Sequence, residues 1–395
     1  MIENGLYTPS NGTTGRKIPT PTDNDNDMDI DIDSNTQLPP RSSEDTLLEI
    51  SKLIIDSPRI KLLDSISCTH NPLYENIITN YIENNINFRK NPRLSNPTMR
   101  NHLIELIRNV FGRSSILFAI DVEAWEFSTE TVTEIGIAIY DPREQQVSLV
   151  PSTIHIHIRI KENLNKTNGR YVPNHAMNFN GNITYIMSQT EAVYFTQSLV
   201  NYYFSQIQQT GYSCYLVGHD VKGDVKWMNS LGVNFPTGYQ TIDTNHLCRI
   251  SHGRANISLK KALEAVDIPY AYLHNAGNDA YYTLLLAMKL CDPQSRVRYG
   301  LDIFVPDENQ QMQDSLTPEE KKARKEEKKA RKEANRKARL DARSRGEEYI
   351  PPSRQKQEQD KTNSLKKKRK KLPRGVTCEA IELNSALEAT SVIFR

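Results

Sequence analysis

The apolar positions of this 395-residue chain change their spacing along its length. Between about residues 45 and 112 they recur at helical intervals, in TLLEISKLII, NPLYENIITNYI and NPTMRNHLIELIRNVFG. The last of these carries its own punctuation, since Asn96 can cap the helix, Pro97 suits its first turn and Gly112 can close it. A small helical region is predicted here. From Ser115 the period shortens to two: SILFAID is a short apolar run, VTEIGIAIYD alternates, and IHIHIRI alternates almost throughout. Three such strands in succession predict an antiparallel meander. A helix around TEAVYFTQSLVNYYFSQIQQ follows, then a strand CYLVGH, a helix DVKWMNSL, a strand YQTIDT, a helix SLKKALEAV and a last helix GNDAYYTLLLAMKL. Strands first, then strands alternating with helices, is the order of an α/β mixed sheet flanked by helices.

Outside these segments the pattern fades. Residues 1–44 mix Asn, Thr, Pro and Ser around the acidic patch DNDNDMDIDID, with too few hydrophobes to offset the entropy of ordering, and are expected to be disordered. After about 300 core-forming material thins out, and residues 296–395 read as a charged, basic tail. Within it, residues 319–345 combine strong helix formers with i,i+4 charge pairs and no apolar stripe, the signature of a solvated helical arm. The cluster Lys366, Lys367, Lys368, Arg369, Lys370 and Lys371 follows, before Pro373; the final GVTCEAIELNSALEATSVIF regains apolar character without resolving into an element. The expected division is therefore 1–44, a helical region over 45–112, an α/β domain over 113–295, and the tail.

Charge sharpens this division. The net charge is +2, yet residues 316–395 hold 24 Lys/Arg against 13 Asp/Glu, leaving 26 against 35 before them. An acidic body with a basic tail points to a polyanionic partner, although charged runs also simply keep a surface soluble. The five cysteines, Cys68, Cys214, Cys248, Cys291 and Cys378, are scattered and form no CxxC pair, which fits reduced thiols and neither a disulfide nor a zinc framework. The start lacks the cationic and apolar pattern of a signal peptide, and no run reaches the ~18 apolar residues that span a bilayer. The expectation is a soluble intracellular protein with no membrane partner.

Three short patterns carry candidate chemistry. Asp121 and Glu123 close the apolar run ILFAI; two apart on a strand, they project to one face, where adjacent anions call for a cation. Alone, DxE equally describes a polar strand end facing solvent. In YLVGHDVKGDVKWM a strand runs into a helix carrying Asp224, near the strand's carboxyl end where α/β sheets hold ligands, with Asp220 as a competitor or as the helix N-cap. In LHNAGNDAYYTLLLAMKL, the stretch Asn275-Ala276-Gly277-Asn278 predicts a tight loop that hangs His274 over the site and sets Asp279 in the first turns of a long helix.

The order of these carboxylates, with a His at H-x4-D spacing, resembles the DEDDh 3′–5′ exonuclease superfamily, whose fold is ribonuclease H-like. The match rests on FAIDVEAWEF with Glu134 in VTEIGIAIYD, on VGHDVKGDVKWM and on HNAGNDA. More narrowly, TIDTNHL, SLKKALEAVDIP and LHNAGNDAYYTLLLAM resemble a group of fungal nuclease-domain proteins that includes a yeast factor named for the full activity of an mRNA-export helicase. The resemblance implies that Asp121, Glu123, Asp224 and Asp279 hold two divalent cations, Mg²⁺ or Mn²⁺, ~4 Å apart, and that His274 accepts the proton of the attacking water. It implies a nucleic-acid substrate, RNA or DNA, with ribonucleoprotein or mRNA-export factors as further partners. Trp125, Phe127 and Tyr272 are candidate stacking surfaces, though aromatics beside strands are more often core. Lys366 to Lys371 are candidate nucleic-acid contacts that, with Pro373, resemble a nuclear import signal, so the nucleus is the expected location, with the cytoplasm or shuttling as the alternative.

Two departures touch the terminal-nucleotide pocket. Where family members often carry Thr after DxE, this chain has Ala124 and Trp125, and the Asn often preceding the second-motif Asp gives way to His219, Asp220 and Gly223 around Asp224. Competing readings are an inactive nuclease-like module that binds RNA or a ribonucleoprotein, a helical adaptor working through 319–345, and a hydrolase with His155 and His157 as zinc ligands on one strand face.

Overall fold

The computed structural model describes residues 42–181, 183–253, 257–305, 317–344, 379–383 and 385–394. The expectation for residues 1–44 falls outside these up to Arg41, and the basic cluster 366–371 lies outside them entirely. Helices lead the described chain: α1 (Ser43–Asp56), α2 (Pro58–Asp64), α3 (Pro72–Asn84), α4 (Ile86–Lys90) and α5 (Pro97–Phe111). Residues 42–44 are thus not disordered, because Ser42 accepts the Asp45 N–H and caps α1. Asn96 caps α5 by accepting from the Thr98 and Met99 N–H groups, with Pro97 in the first turn.

Seven strands then build one sheet in the order β6-β5-β1-β2-β3-β4-β7. They are β1 (Ser115–Trp125), β2 (Ser128–Tyr140), β3 (Ile154–Ile160), β4 (Ile183–Met187), β5 (Ser213–Gly218), β6 (Gln240–Asp243) and β7 (Glu379–Glu382). Strands β1 to β3 form the expected meander, and only β2 runs against the rest. Between and after the strands lie α6 (Glu144–Val147), α7 (Gln189–Asn201), α8 (Lys222–Leu231), α9 (Thr244–His252), α10 (Leu259–Ala265), α11 (Ala276–Cys291) and α12 (Pro293–Arg298), followed by helices Pro318–Ser344 and Ala386–Ile393. This is the α/β, ribonuclease H-like architecture.

The continuous apolar run of β1 follows from burial on both faces. Its even positions Ile116, Phe118 and Ile120 pack with Ile54 of α1 and Phe195 and Leu199 of α7. Its odd positions Leu117 and Ala119 join Leu103 and Ile107 of α5 and Leu284 and Ala287 of α11. Asp121 and Glu123 continue the odd row, so they emerge on the α11 side of the sheet.

The tail does not begin at 296. Arg296 is buried, with Nη2 donating to Asp302 Oδ1 at 2.7 Å and Nε donating to Tyr81 Oη at 2.8 Å, and the Val305 N–H donates to His252 O at 2.8 Å. An uncompensated buried guanidinium would be costly, so these partners bind the segment up to Val305 into the body. The apolar end of the chain also returns: β7 pairs in parallel with β4, and Ala386, Ala389 and Phe394 are buried beside α1 and α7.

Candidate active site

Cross-strand register sets two rows of side chains on the α11 face. Asp121 lies opposite Gly136, which lies opposite His157, which pairs with Thr184; Glu123 lies opposite Glu134, which lies opposite Arg159. Gly136 is the gap into which α11 fits, because a Cβ there would come within 1.9 Å of the Ala276 carbonyl oxygen. Gly277 works likewise, since its Cβ would meet the Phe179 ring at 2.5 Å and His157 Cβ at 2.8 Å. The stretch Asn275 to Asn278 is therefore the start of a helix and not a loop: Asn275 is the N-cap and accepts the Asn278 N–H at 3.1 Å. Glycine is needed there for close approach.

Seated this way, α11 brings Asp279, buried in its first turn, against the end of β1. Asp279 Oδ2 accepts the His274 N–H at 2.9 Å, which holds the preceding loop; His274 and Tyr272 both adopt the left-handed region, with φ of 69° and 53°. His274 Nδ1 lies 3.7 Å from Glu123 Oε1, and ligand atoms of Glu123, His274 and Asp279 all fall within 4.8 Å of one another. From the other side, α8 contributes buried Asp224, whose Oδ1 accepts the Val122 N–H at 3.1 Å and is thereby pinned between Asp121 and Glu123. Asp220 is not the N-cap of α8: Val221 holds that position without a side-chain bond, and Asp220 sits at φ 72°.

Burial, and then repulsion from Glu123, push Asp224 and Asp279 up to about 7. Asp121 is pushed well above the carboxylate range by burial and then by Asp279, Asp224 and Glu123. The Glu123 carboxylate 3.7 Å away raises half-exposed His274. One oxygen, Asp279 Oδ1, is buried without a hydrogen-bond partner. Crowded carboxylates that resist ionisation, with an unpartnered oxygen among them, are a donor set suited to hard divalent cations.

Sequence reasoning kept Glu134 in the motif but did not see its surroundings. It is buried, and its Oε2 lies 2.9 Å from His157 Nε2 and 3.4 Å from the Ala276 N–H, while His157 Nδ1 bonds Thr184 Oγ1 at 3.0 Å. His157 is thereby committed on both ring nitrogens. His155 bonds Thr153 Oγ1 at 2.6 Å through Nε2 and packs on Tyr281, and among the described residues neither histidine joins a group of three or more His, Cys, Asp or Glu placed to hold a metal, which counts against the zinc arrangement. Of the aromatics, Trp125 is half-buried and meets Phe127 edge-on at 5.2 Å, Phe127 is exposed, and Tyr272 lies edge-on to His175.

The DEDDh family described as "DNA polymerase III subunit epsilon-like, C-terminal domain" matches residues 116–290. The chain is 40% identical over 224 residues to Good for full DBP5 activity protein 2 of Saccharomyces cerevisiae, covering 51% of this chain and 40% of that one. A second, uncharacterized protein of the same yeast is 37% identical over 222 residues, covering 51% and 46%. An uncharacterized nucleolar protein of Schizosaccharomyces pombe is 33% identical over 183 residues, covering 44% of this chain and 68% of its own length. The chain thus spans less than half the length of the two Saccharomyces relatives.

Proposed function

The chain belongs to the DEDDh-type nuclease-domain family of these yeast proteins, and from that membership we propose that it is a metal-dependent 3′–5′ exonuclease acting on single-stranded nucleic acid, RNA in preference to DNA. The observation that carries the reading is the convergence of Asp121, Glu123, Asp224 and Asp279 around an unpartnered buried oxygen, with His274 beside them. The four carboxylates are the ligands for Mg²⁺ or Mn²⁺. Two such cations held there would supply acidification of a water and neutralisation of charge building on the phosphate and the leaving oxygen. His274, half-exposed and restrained by Asp279 through its own N–H, takes the proton from that water. Trp125 at the end of β1 and Phe127 in the turn that follows offer faces to terminal bases.

Release of mononucleotides from a free 3′ end should require Mg²⁺ or Mn²⁺. Asp121→Ala or Asp279→Ala should abolish it, and His274→Ala should slow it by about 10²-fold or more, well beyond any change in Mn²⁺ affinity. Equal rates for wild type and Asp121→Ala would overturn the assignment. An inactive protein that still binds RNA would leave a binding module in its place.

The RNA preference rests on the resemblance to the fungal group that includes a factor named for the full activity of an mRNA-export helicase, which also makes ribonucleoprotein or export factors candidate partners. A nuclear site rests on the nucleolar relative and on Lys366 to Lys371 with Pro373. A fluorescent fusion whose distribution survives replacement of those six basic residues by Ala would refute the import role. Among the described residues no helix is long and apolar enough to cross a membrane.

A further inference from the structure

β3 and β4 are parallel, so residues 161–182 must cross over between them; the described part of this crossover holds no α-helix, only the 3-10 turn Lys161–Asn163, and long irregular connections in compact domains tend to carry function. Its described part is bonded to both walls of the candidate site. On the β1 wall Asn168 acts as a strand would: its Oδ1 accepts the Glu126 N–H at 2.9 Å and its Nδ2 donates to Ala124 O at 3.1 Å. The Glu126 carboxylate then accepts three successive N–H groups, of Arg170, Tyr171 and Val172, at 2.9, 2.6 and 3.1 Å. On the α11 wall His175 Nδ1 bonds Leu273 O at 2.7 Å, just before His274. Asn275 Nδ2 donates to His175 O at 3.1 Å, and the Asn278 side chain accepts from Asn180 N at 2.8 Å and donates to Asn178 O at 2.9 Å.

Between these anchors the loop sets Tyr171, 38% exposed, 5.7 Å from the Phe127 ring, with the Arg170 guanidinium 5.5 Å from the Tyr171 ring centre. The result is a row, Trp125, Phe127, Tyr171, that starts two residues beyond Glu123 and ends in a cation. Phe127 sits in the turn that joins β1 to β2, and four residues span at most about 14 Å, so Phe127 and the Tyr171 ring beside it lie outside the metal-binding carboxylates but within a few nucleotides of them. Exposed rings joined to a guanidinium match unstacked bases on a phosphate backbone, and a duplex keeps its base faces stacked away.

We propose that residues 161–181 form a single-strand guide, in which Tyr171 and Arg170 hold the nucleotides next to the one being removed and Glu126 positions them by fixing the loop. The direction of the strand rests on the exonuclease reading; the guide itself rests on the loop.

The test uses the full chain, a single-stranded 10-mer, a blunt 10-base-pair duplex and the p-nitrophenyl ester of thymidine 5′-phosphate, which is too short to reach Tyr171. Stacking is worth roughly 1–3 kcal/mol per base, so Tyr171→Ala should raise the Kd for the 10-mer about 5- to 150-fold. It should lower the ratio of kcat/KM for the 10-mer to that for the ester by a similar factor, and Tyr171→Phe should restore both. Glu126→Ala should reproduce the loss by freeing the loop. Arg170→Ala should reduce the slope of log Kd against log salt by about 0.7. Duplex binding should be insensitive to Tyr171. Unchanged 10-mer affinity in Tyr171→Ala, or an equal fall for 10-mer and ester, would overturn the guide. If wild type cleaves neither substrate while the 10-mer Kd still depends on Tyr171, the guide stands and the exonuclease reading falls.

Discussion

At the scale of single residues, the candidate site is a cluster of acids held in a state they resist. Asp224 and Asp279 are held up to about 7 by burial and by Glu123, and Asp121 is raised by burial and by its acidic neighbours. In an unfolded chain these groups ionise near 4. A carboxylate whose folded pKa is raised costs the fold nothing below its unfolded value and destabilises it progressively as pH climbs toward the folded one. The metal-free protein should therefore lose thermal stability between about pH 4 and 7, and Asp279→Asn should be more stable than wild type at pH 8. Cation binding must displace these protons, so Mn²⁺ affinity and the stabilisation it brings should both grow from pH 6 to 8. Melting curves with and without Mn²⁺, and calorimetry in buffers of different ionisation enthalpy, read the two effects. A melting temperature that rises with pH without metal would contradict the crowding of these acids.

At the scale of elements, the end of the chain closes the sheet. Strand β7 extends the β4 edge, Ala386, Ala389 and Phe394 are buried against α1 and α7, and Ser57 Oγ donates to Phe394 O at 2.5 Å. Phe394→Ala should cost about 3 kcal/mol, read as a lower urea midpoint, because burial of a whole ring is lost. Removing residues 379–395 should cost more and uncover Ile50 and Ile54; an unchanged midpoint would mean the segment is not docked in solution. This closure was illegible in the sequence because EAIE is short and polar, and its pairing is supplied by an exposed edge 200 residues earlier in the chain. Strand β1 was legible as a short apolar run, and β2 and β3 through the alternation of their side chains. The five site positions were legible through motif order, a local property. The Glu134–His157 pair and the seat of α11 on Gly136 depend on cross-strand register, and the loop over residues 161–181 has no periodicity, so neither leaves a pattern to read. Gly277 and Asp220 misled because glycine and aspartate commonly serve loops and caps, and here packing and backbone φ assign them otherwise.

At the scale of the whole molecule, the question is how an acidic body grips a polyanion. Cations held at the candidate site would neutralise only the immediate phosphates of the proposed substrate, whereas residues 316–395 carry the excess of Lys and Arg. The helix Pro318–Ser344 is about 40 Å long at 1.5 Å per residue, and it exposes Lys325, Lys329, Arg336 and Lys337. Because the chain returns to the sheet at Glu379, this helix lies in an excursion from Val305 and is not a free tail. Deleting residues 316–395 would therefore confound two effects, since it also strips β7 and the terminal helix. Replacing the four exposed cations with Ala isolates the charge. Each phosphate of a single strand that is no longer neutralised should flatten the slope of log Kd against log salt by about 0.7, so the quadruple variant should lose up to about 3 on a 30-mer. A trinucleotide, held by the active site, should be affected far less. Cations that grip phosphates fix the strand without reading it, so affinity should fall equally across sequences. Titrations of both proteins at three salt concentrations decide the matter: equal slopes for wild type and variant on the 30-mer would rule out a nucleic-acid role for the helix and leave it as an arm for a protein partner.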